Sequence, residues 1–550
     1  MQRRVALVAV DAQWRDPNGT FFSFSYGIEK LRAAILSDPE LADTEVLLLD
    51  YRSGDPEEYF QAIANFEPTL VGLSTYIWSL DVFAGLVERL RKHDPKVVIV
   101  AGGPAARRNV FDLPPHHKLR NLLDAIVPGE GEGTIRELVR HHHDPEWRKR
   151  VTGLQFPGRG LWRSSDPAPR PDINAFASPY QLGIAPLHKT GYVETFRGCP
   201  IHCAFCQWGD QKSDRVHEAD YLASHLEGLR RAEVPNVFFL DAAFNLSPRA
   251  FRNLIAAEEQ VHVLEKSIVH GHLYPTYLEE HHLEFFDRLG DVQVSVGIQS
   301  FDPAVLNRLG RPFDPSRFQK VLGRMRGRLD VDIELIFGLP GDNPESFRRT
   351  LETSMELGDS IKIFRCLVLP DALLERVEEM SIEYDPQTFE MIACEGWSRD
   401  DYESEWRRVV ELAASFERPI LNDDWVGWVL DRGAEHDSNR AGSALELRSD
   451  SVDSGPLADA AVGRLRESIA SAAGWDLRSV RGRTSQLLFE LSGPHGQVVL
   501  EVVRFEEGTP CFVRRDGLAY SYRGSLDRES VPGLRRVIGV VHDDMLRLVS

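Results

Sequence analysis

Cys199, Cys203 and Cys206 stand in a C-x3-C-x2-C spacing within eight residues. Thiolates hold iron–sulfur clusters, and a cubane normally takes four of them. Three ligands in one short loop leave one iron without a cysteine, and an open iron can bind a substrate or a second cofactor. Two other readings compete. A closed zinc site takes four ligands, usually as two pairs. It would have to recruit His202 from between two of the cysteines and fold the loop very tightly about one ion. A disulfide would leave an odd cysteine and suits a secreted chain.

With Phe205 directly before the last cysteine, the triad is identified as the signature of the radical SAM superfamily. Its flanks, Arg197-Gly198-Cys199-Pro200 and Cys206-Gln207-Trp208-Gly209, resemble the subgroup that carries a cobalamin domain in front. The resemblance implies a 4Fe–4S cluster on Cys199, Cys203 and Cys206. The open iron would be chelated by the amino and carboxylate groups of S-adenosylmethionine (SAM). Reductive cleavage of SAM would then yield a 5′-deoxyadenosyl radical, with a flavodoxin or ferredoxin as electron donor.

The chain has 550 residues, enough for two to four domains. Its make-up, 42% hydrophobic and 27% charged, is that of an ordinary globular protein. A net charge of -20 argues against nucleic acid as the main partner. The apolar start, Val5–Val10, ends at Asp11 with no small-residue cleavage site and reads as a buried strand. No run approaches the ~20 apolar residues a membrane helix needs. Six cysteines, three in one motif, suit a reducing cytoplasm.

The pattern along the chain predicts an α/β protein in several parts. Residues 1–140 alternate short apolar runs with helical periodicity, a parallel sheet of Rossmann-like type. Residues 141–185, rich in Pro, Arg, Asp and Ser, read as an ordered linker with one hairpin. From 186 to 390 strand–helix units repeat, as in a full or partial TIM barrel with its chemistry at the C-terminal strand ends. Residues 391–455 form an extension and linker whose tryptophans, Trp425 and Trp428, would cover the barrel opening. Residues 456–550 read as a small α+β unit of unassigned role, with helices at 457–473 and 531–548.

Loops after strand ends are where doubly wound sheets bind ligands. Here they are Ser74-Thr75-Tyr76-Ile77-Trp78, Gly102-Gly103-Pro104 and Gly129-Glu130-Gly131. Glycines let a large flat ligand approach the backbone, although a lone Gly-Gly-Pro is usually only a turn. In this order ahead of the triad they resemble a cobalamin-binding domain. The Asp-x-His-x-x-Gly motif that supplies a cobalt-ligating histidine in methionine synthase and the mutases is missing. The resemblance therefore implies cobalamin with no protein histidine on cobalt, its lower face covered by Tyr76 or Trp78.

In the barrel, the same resemblance assigns SAM contacts to Phe205, to Asp241 in Asp241-Ala242-Ala243-Phe244-Asn245, and to Gln299 and Ser300 in Gly297-Ile298-Gln299-Ser300. It adds Glu334, Gly338 and Pro340 in Glu334-Leu335-Ile336-Phe337-Gly338-Leu339-Pro340. The bland alternatives are a polar strand-turn residue for Glu334 and a satisfied interior residue for Gln299. His270 and His272 sit two apart on a strand and point the same way. No third metal ligand is evident, so they are read as candidates for the substrate cavity. His142, His143, His281 and His282 lie in polar helical patterns and read as solvated; Cys366, Cys394 and Cys511 read as ordinary buried thiols.

Cofactors carry the hard chemistry and the protein orients them. The resemblance thus leads to a cobalamin-dependent methyltransferase acting on an unactivated carbon or phosphorus centre of a specialised metabolite or peptide, as in antibiotic biosynthesis. A second SAM would re-methylate the cobalamin. Rearrangement, ring contraction or cyclisation without methyl transfer is the alternative within the family. A non-catalytic cobalamin or redox-sensing module is the alternative outside it. A tRNA methylthiotransferase is disfavoured, because the first cysteine is Cys199 and the charge is wrong for RNA.

Overall fold

In the computed structural model the described residues are 3–10, 24–51, 53–210, 215–289, 291–325, 328–416, 419–422 and 424–430, followed by segments of a second unit at 476–483, 486–493, 496–503, 511–514 and 519–521.

The N-terminal sheet is built from β1 (Arg4–Val10), β2 (Glu45–Tyr51), β3 (Leu70–Ser74), β4 (Val98–Gly102) and β5 (Ala125–Val127). Their order is 2-1-3-4-5, and the paired strands are parallel. β1 is almost wholly apolar and buried on both faces, as a central parallel strand must be. Helices α1 (Tyr26–Leu36), α2 (Pro56–Phe66), α3 (Leu80–His93), the short α4 (Arg108–Phe111) and α5 (His117–Leu122), and α6 (Gly131–His141) wrap the sheet. α1 and α6 bury Ile28, Ile35, Ile135 and Leu138 on one face. α2 and α3 bury Tyr59, Ile63, Phe83 and Leu86 on the other. The chain reverses direction across the sheet between β1 and β3, which opens a crevice above the strand C-termini.

A short helix, α7 (Trp147–Arg150), leads into a hairpin of β6 (Gln155–Pro157) and β7 (Trp162–Ser164). This hairpin adds two antiparallel strands to the same sheet next to β5. The stretch read as a linker therefore contributes directly to the N-terminal sheet.

The second sheet uses β8 (Gly191–Val193), then a two-residue pair β9 (Phe196–Arg197) and β10 (Arg215–Val216) outside it, α8 (Ala219–Arg231), β11 (Asn236–Phe239), α9 (Pro248–Val261), β12 (Ile268–His272), α10 (Glu280–Phe286), β13 (Asp291–Gln299), α11 (Pro303–Arg308), α12 (Pro315–Met325), β14 (Asp330–Phe337), α13 (Pro344–Leu357) and β15 (Ser360–Arg365). Six strands follow one another in the order 8-11-12-13-14-15. The sheet does not close: β8 is one edge, so this is a partial barrel. Several helices start with a capping side chain followed by proline, as at Ser247-Pro248, Asp302-Pro303 and Asn343-Pro344. The cap accepts a free N–H of the first turn, and proline fills a position whose N–H has no partner anyway.

After β15 come the small pair β16 (Glu383–Tyr384) and β17 (Met391–Ala393), then α14 (Arg399–Ala414), β18 (Ile420–Leu421) and β19 (Trp425–Val429). β19 runs antiparallel to β15 and extends the barrel sheet. Trp425 and Trp428 thus lie in a strand and not in a cover over the opening. Trp428 is buried and stacks on Phe416, and Trp425 stacks on Phe364. α14 escaped notice because of its charges, yet Tyr402, Val409 and Ala413 form its buried stripe and Ser398 caps it.

The second unit is a five-stranded antiparallel sheet, β20 (Asp476–Arg483), β21 (Gln486–Gly493), β22 (Gly496–Val503), β23 (Cys511–Arg514) and β24 (Ala519–Ser521), in sequential order. β20 was not legible because a bulge between Leu477 and Ser479 breaks the two-residue period. The expected flanking helices at 457–473 and 531–548 lie outside the described residues.

Gly103 follows β4 at φ +94, and a Cβ there would meet the Thr75 carbonyl oxygen at 2.7 Å. Backbone cannot yield as a side-chain tip does. Gly103→Ala is expected to destabilise the first unit by roughly 2 kcal/mol, read as a lowered thermal midpoint. Gly129→Ala, whose Cβ meets nothing within 4 Å, should melt like the parent. Equal melting of both variants would contradict this account of the loop.

Candidate active site

The cysteine loop leaves β9 through Gly198, whose φ of +100 turns the chain sharply. Cys199 and Cys203 are buried, Cys206 is half-buried, and all three are free thiols. The loop is held from several directions. Cys206 N donates to Cys203 O at 3.0 Å and Ala204 N to Leu309 O at 2.8 Å. Gly310, at φ +69, passes so close that a Cβ would stand 2.7 Å from His202 O. Burial raises the Cys199 thiol and pushes that of Cys206 up to about 11; in each case the facing thiols add to the shift, so the three sulfurs share one environment. Arg311 supplies a nearby positive charge, with Nη1 3.6 Å from Cys203 Sγ.

His202 is exposed, whereas Cys199 and Cys203 on either side of it are buried. Among the described residues no three His, Cys, Asp or Glu side chains group around a single metal ion. The donor set is three sulfurs beside a cation. It suits a cluster whose ligands sit on separate irons, and it does not suit a closed zinc site.

Asp241, just past β11, is buried beneath this loop. Its Oδ1 accepts from Thr195 N at 2.8 Å and Phe196 N at 3.2 Å, and its Oδ2 accepts from Thr195 Oγ1 at 2.7 Å. Burial pushes its carboxyl up to about 7 against those hydrogen bonds. The carboxylate faces the turn that launches the cysteine loop. Phe244 packs between Phe239 and Phe286, and Phe205 is buried.

Gln299 ends β13 at φ +72, an uncommon conformation for a side-chain-bearing residue. The pairing with β14 slips between Gly297 and Gln299, and the Gln299 amide folds back over Gly297. Arg311 also donates to Gly297 O, tying this bulge to the cysteine loop. Ser300 is fully buried. Gly338, at φ +83, and Pro340 are buried in the loop after β14, where Gly338 lies against the Tyr402 ring.

Glu334 lies within β14 and not at its end. Alternate residues of β14 are part-exposed, which directs Asp332 and Glu334 to one face of the sheet. There Glu334 meets His272 at 3.5 Å, and Lys362 Nζ donates to Asp332 Oδ2 at 2.6 Å. Burial works against both charged forms of the first pair, but their mutual attraction prevails: Glu334 falls to about 2 and His272 rises. His270, with Lys362 nearby, falls to about 4, mainly through burial. Lys362 and Asp332 were not singled out from the sequence, although alternation along their strands was the available signal.

Over the N-terminal sheet lies a cavity of about 510 Å³. Ser74, Tyr76, Trp78, Gly102, Gly103, Gly129 and Gly131 line it. Tyr76 and Trp78 stack at 4.3 Å and 17°, forming a flat aromatic surface. Three expected residues do not line it. Thr75 is buried and holds Gly102 O at 2.7 Å. Pro104 accepts from Gln207 Nε2 at 3.3 Å. Glu130 pairs with Arg197 at 2.8 Å and with Arg215. The far wall comes from the barrel unit: Tyr192, Glu194, Arg197, Trp208 and Leu240. No histidine lines this cavity among the described residues. The glycine-edged floor and aromatic slab fit a large planar ligand such as a corrin.

Two of the four histidines read as solvated are buried. His142 bonds Leu138 O and Thr69 Oγ1, each at 2.8 Å, because it continues the buried Leu138 face of α6. His282 closes a capping box with Glu279 at the start of α10. Burial pushes each to about 4.

Residues 193–353 match the model of the radical SAM superfamily, and residues 31–139 match that of the B12 binding domain. The chain therefore carries a B12-binding domain ahead of a radical SAM domain. It is 26% identical over 399 residues to TokK, a cobalamin-dependent radical SAM methyltransferase of Streptomyces tokunonensis, covering 66% of this chain and 55% of that protein. It is also 26% identical over 350 residues to the 2-(S-pantetheinyl)-carbapenam-3-carboxylate methyltransferase of Streptantibioticus cattleyicolor, covering 57% and 49%. The chain thus spans about half the length of these curated relatives. The radical S-adenosylmethionine methyltransferase TsrM of Kitasatospora setae, solved with cobalamin and a 4Fe-4S cluster, shares the fold at 17% identity and a TM-score of 0.58, over 75% of this chain and 88% of that one. The two domains imply a 4Fe–4S cluster, SAM and cobalamin as cofactors. Among the described residues no helix is long and apolar enough to cross a membrane.

Two measurements test these side chains. Asp241→Ala strands two buried N–H groups and a hydroxyl, each worth about 1–3 kcal/mol when unsatisfied; cluster content after reconstitution should fall sharply. Asp241→Asn keeps the Oδ1 acceptor and should retain cluster and SAM binding. Loss of SAM binding with the cluster intact in Asp241→Asn would instead make the carboxylate a direct SAM ligand. For the His272–Glu334 pair the signs run opposite ways. The raised His272 stabilises the fold below its ordinary value near 6.5, and the effect is lost as pH rises through the raised value. The lowered Glu334 stabilises above its ordinary value of 4.5, and the effect is lost as pH falls toward 2. Thermal midpoints of the parent minus His272→Gln should therefore peak between about pH 4.5 and 6.5; a flat difference would contradict the pairing.

Proposed function

We propose that this chain is a cobalamin-dependent radical SAM methyltransferase that methylates an unactivated carbon or phosphorus centre of a small specialised metabolite or peptide. The observation that carries the reading is the shared wall: Arg197 and Trp208, which bracket the cysteine triad, line the cavity over the B12 domain's glycine loops. The methyltransferase names of both relatives, and the carbapenam substrate in one of them, support methyl transfer to a small molecule.

Bound there, the cluster with SAM supplies a primary carbon radical, and cobalamin supplies a methyl group. This chain's residues prepare the place. Cys199, Cys203 and Cys206 hold the cluster, and Arg311 balances their negative charge. Gln299, Ser300, Gly338, Pro340 and Phe205 border the SAM position, while Asp241 sets the turn ahead of the loop. Ser74, Gly102, Gly103, Gly129 and Gly131 admit the corrin. The Tyr76–Trp78 stack would lie against the corrin and exclude water from that side, and no histidine among the described lining residues would offer a ligand to cobalt. His270 and His272 contribute to the substrate-facing wall of the barrel. The proposed parts are residues 1–140 for cobalamin, 141–185 as a connection that also adds its hairpin to the N-terminal sheet, 186–390 as radical SAM barrel, 391–455 as extension and 456–550 as a small separate domain. A flavodoxin or ferredoxin supplies electrons in the cytoplasm.

The test is anaerobic turnover with reductant, isotopically methyl-labelled SAM and a panel of carbapenam-like, phosphonate and peptide acceptors, read by mass. The expected product is an acceptor gaining one labelled methyl, with formation of 5′-deoxyadenosine and S-adenosylhomocysteine. Cys203→Ala should abolish 5′-deoxyadenosine. An acceptor converted with unchanged carbon count would replace methylation by rearrangement.

A further inference from the structure

Arg197, the residue that opens the cysteine loop, spends its whole guanidinium on carboxylates. Nε donates to Glu194 Oε1 at 2.7 Å, Nη1 to Glu130 Oε2 at 2.8 Å, and Nη2 to Glu132 and to Glu194 Oε2 at 3.1 Å. Glu194 belongs to the barrel unit, whereas Glu130 and Glu132 flank Gly131 at the start of α6 in the B12 domain. Lys30 of α1 lies 3.8 Å from Glu194, and Arg215 of β10 pairs with Glu130. His217 Nε2 closes the group at 3.5 Å from Glu194. Every side chain here is mostly buried, from 1% exposed for His217 to 19% for Glu194. Three cations and three carboxylates balance, so no member can move without leaving a partner uncompensated.

The group also faces the ligand space. Lys30, Glu132, Glu194 and Arg197 line the cavity, and Gly129 and Gly131 on either side of Glu130 do so too. Two residues after Arg197 comes Cys199. The path from the cavity floor to the cysteine loop is therefore one side chain long.

We propose that Arg197 is a positioning residue that couples the two cofactor sites, so that seating cobalamin against the Gly129–Gly131 loop and ordering the cysteine loop for the cluster favour each other. This rests on the cobalamin reading of the cavity. Coupling between sites is reciprocal, and typical values correspond to ~5–150-fold in affinity. The carboxylates are the adjustable partners: Glu130→Gln and Glu132→Gln keep shape while removing one charge from the grip on Arg197.

The experiment is a hydroxocobalamin titration, followed by absorbance, of the full chain with and without its reconstituted cluster, with no turnover involved. The parent should bind cobalamin at least ~5-fold more tightly when the cluster is present. Cobalamin should, reciprocally, slow loss of iron to a chelator. Glu130→Gln and Glu132→Gln should bring the affinity ratio toward one and lower the melting midpoint, while the folded protein still takes up its full complement of iron. Equal affinity of the parent with and without cluster overturns the coupling and leaves the two-cofactor reading standing. A ratio unchanged in both carboxylate variants overturns the role of Arg197. Absence of cobalamin binding under every condition overturns both.

Discussion

Everything in the first unit hangs on how the arginine before the cysteine loop is held. Arg197 is gripped by carboxylates from two domains, and it cannot shift without exposing buried charge. Burial alone would push the Glu132 and Glu194 carboxyls up; the attraction of Arg197 and Lys30, together with the hydrogen bonds the carboxylates accept, more than offsets that and leaves both below the usual carboxylate range. A buried ion network of this kind adds little net stability compared with apolar packing of the same volume, but removing one partner costs about 3–5 kcal/mol. Its value lies in specifying one arrangement. Here that arrangement places a thiolate loop beside a ligand cavity.

Other contacts hold the same two parts together farther from the cavity. Arg107 pairs with Asp371, and His116 bonds Pro386 O at 3.0 Å and stacks on Phe389, whose ring is buried in the core of the N-terminal sheet. Gln207, directly after the last cysteine, bonds Pro104 O of the Gly-Gly-Pro loop. The cysteine loop is fixed on its other side by Arg311, which reaches both Cys203 and the bulged end of β13. Hydrophobic packing builds each sheet, and a small set of charged and polar contacts sets one sheet against the other.

Much of this was legible in the sequence. A C-x3-C-x2-C run and glycines after apolar strands each have a local physical cause, so they survive being read one window at a time. The strands of both sheets came through for the same reason. What stayed hidden depends on distant partners. Glu130 looked like a loop residue of the ligand site, yet it faces Arg197, 67 positions away. Asp241 was assigned to SAM by resemblance; that its oxygens also hold Thr195 and Phe196 had no local sign in the sequence. Trp425 and Trp428 looked like a cover, because nothing local says that a strand will turn back antiparallel to β15. The helix α14 concealed its period behind its charges, and β20 lost its period at the bulge between Leu477 and Ser479.

The central claim is that this single chain brings an iron–sulfur cluster and a cobalamin to one shared wall. Its most direct test is anaerobic reconstitution of the full chain with iron, sulfide and hydroxocobalamin, followed by a UV–visible spectrum and counting of iron, sulfide and cobalt. The account predicts one 4Fe–4S cluster and one cobalamin per chain, both retained through gel filtration. A full cluster with no bound cobalt would contradict it, and the N-terminal sheet would then serve some other ligand.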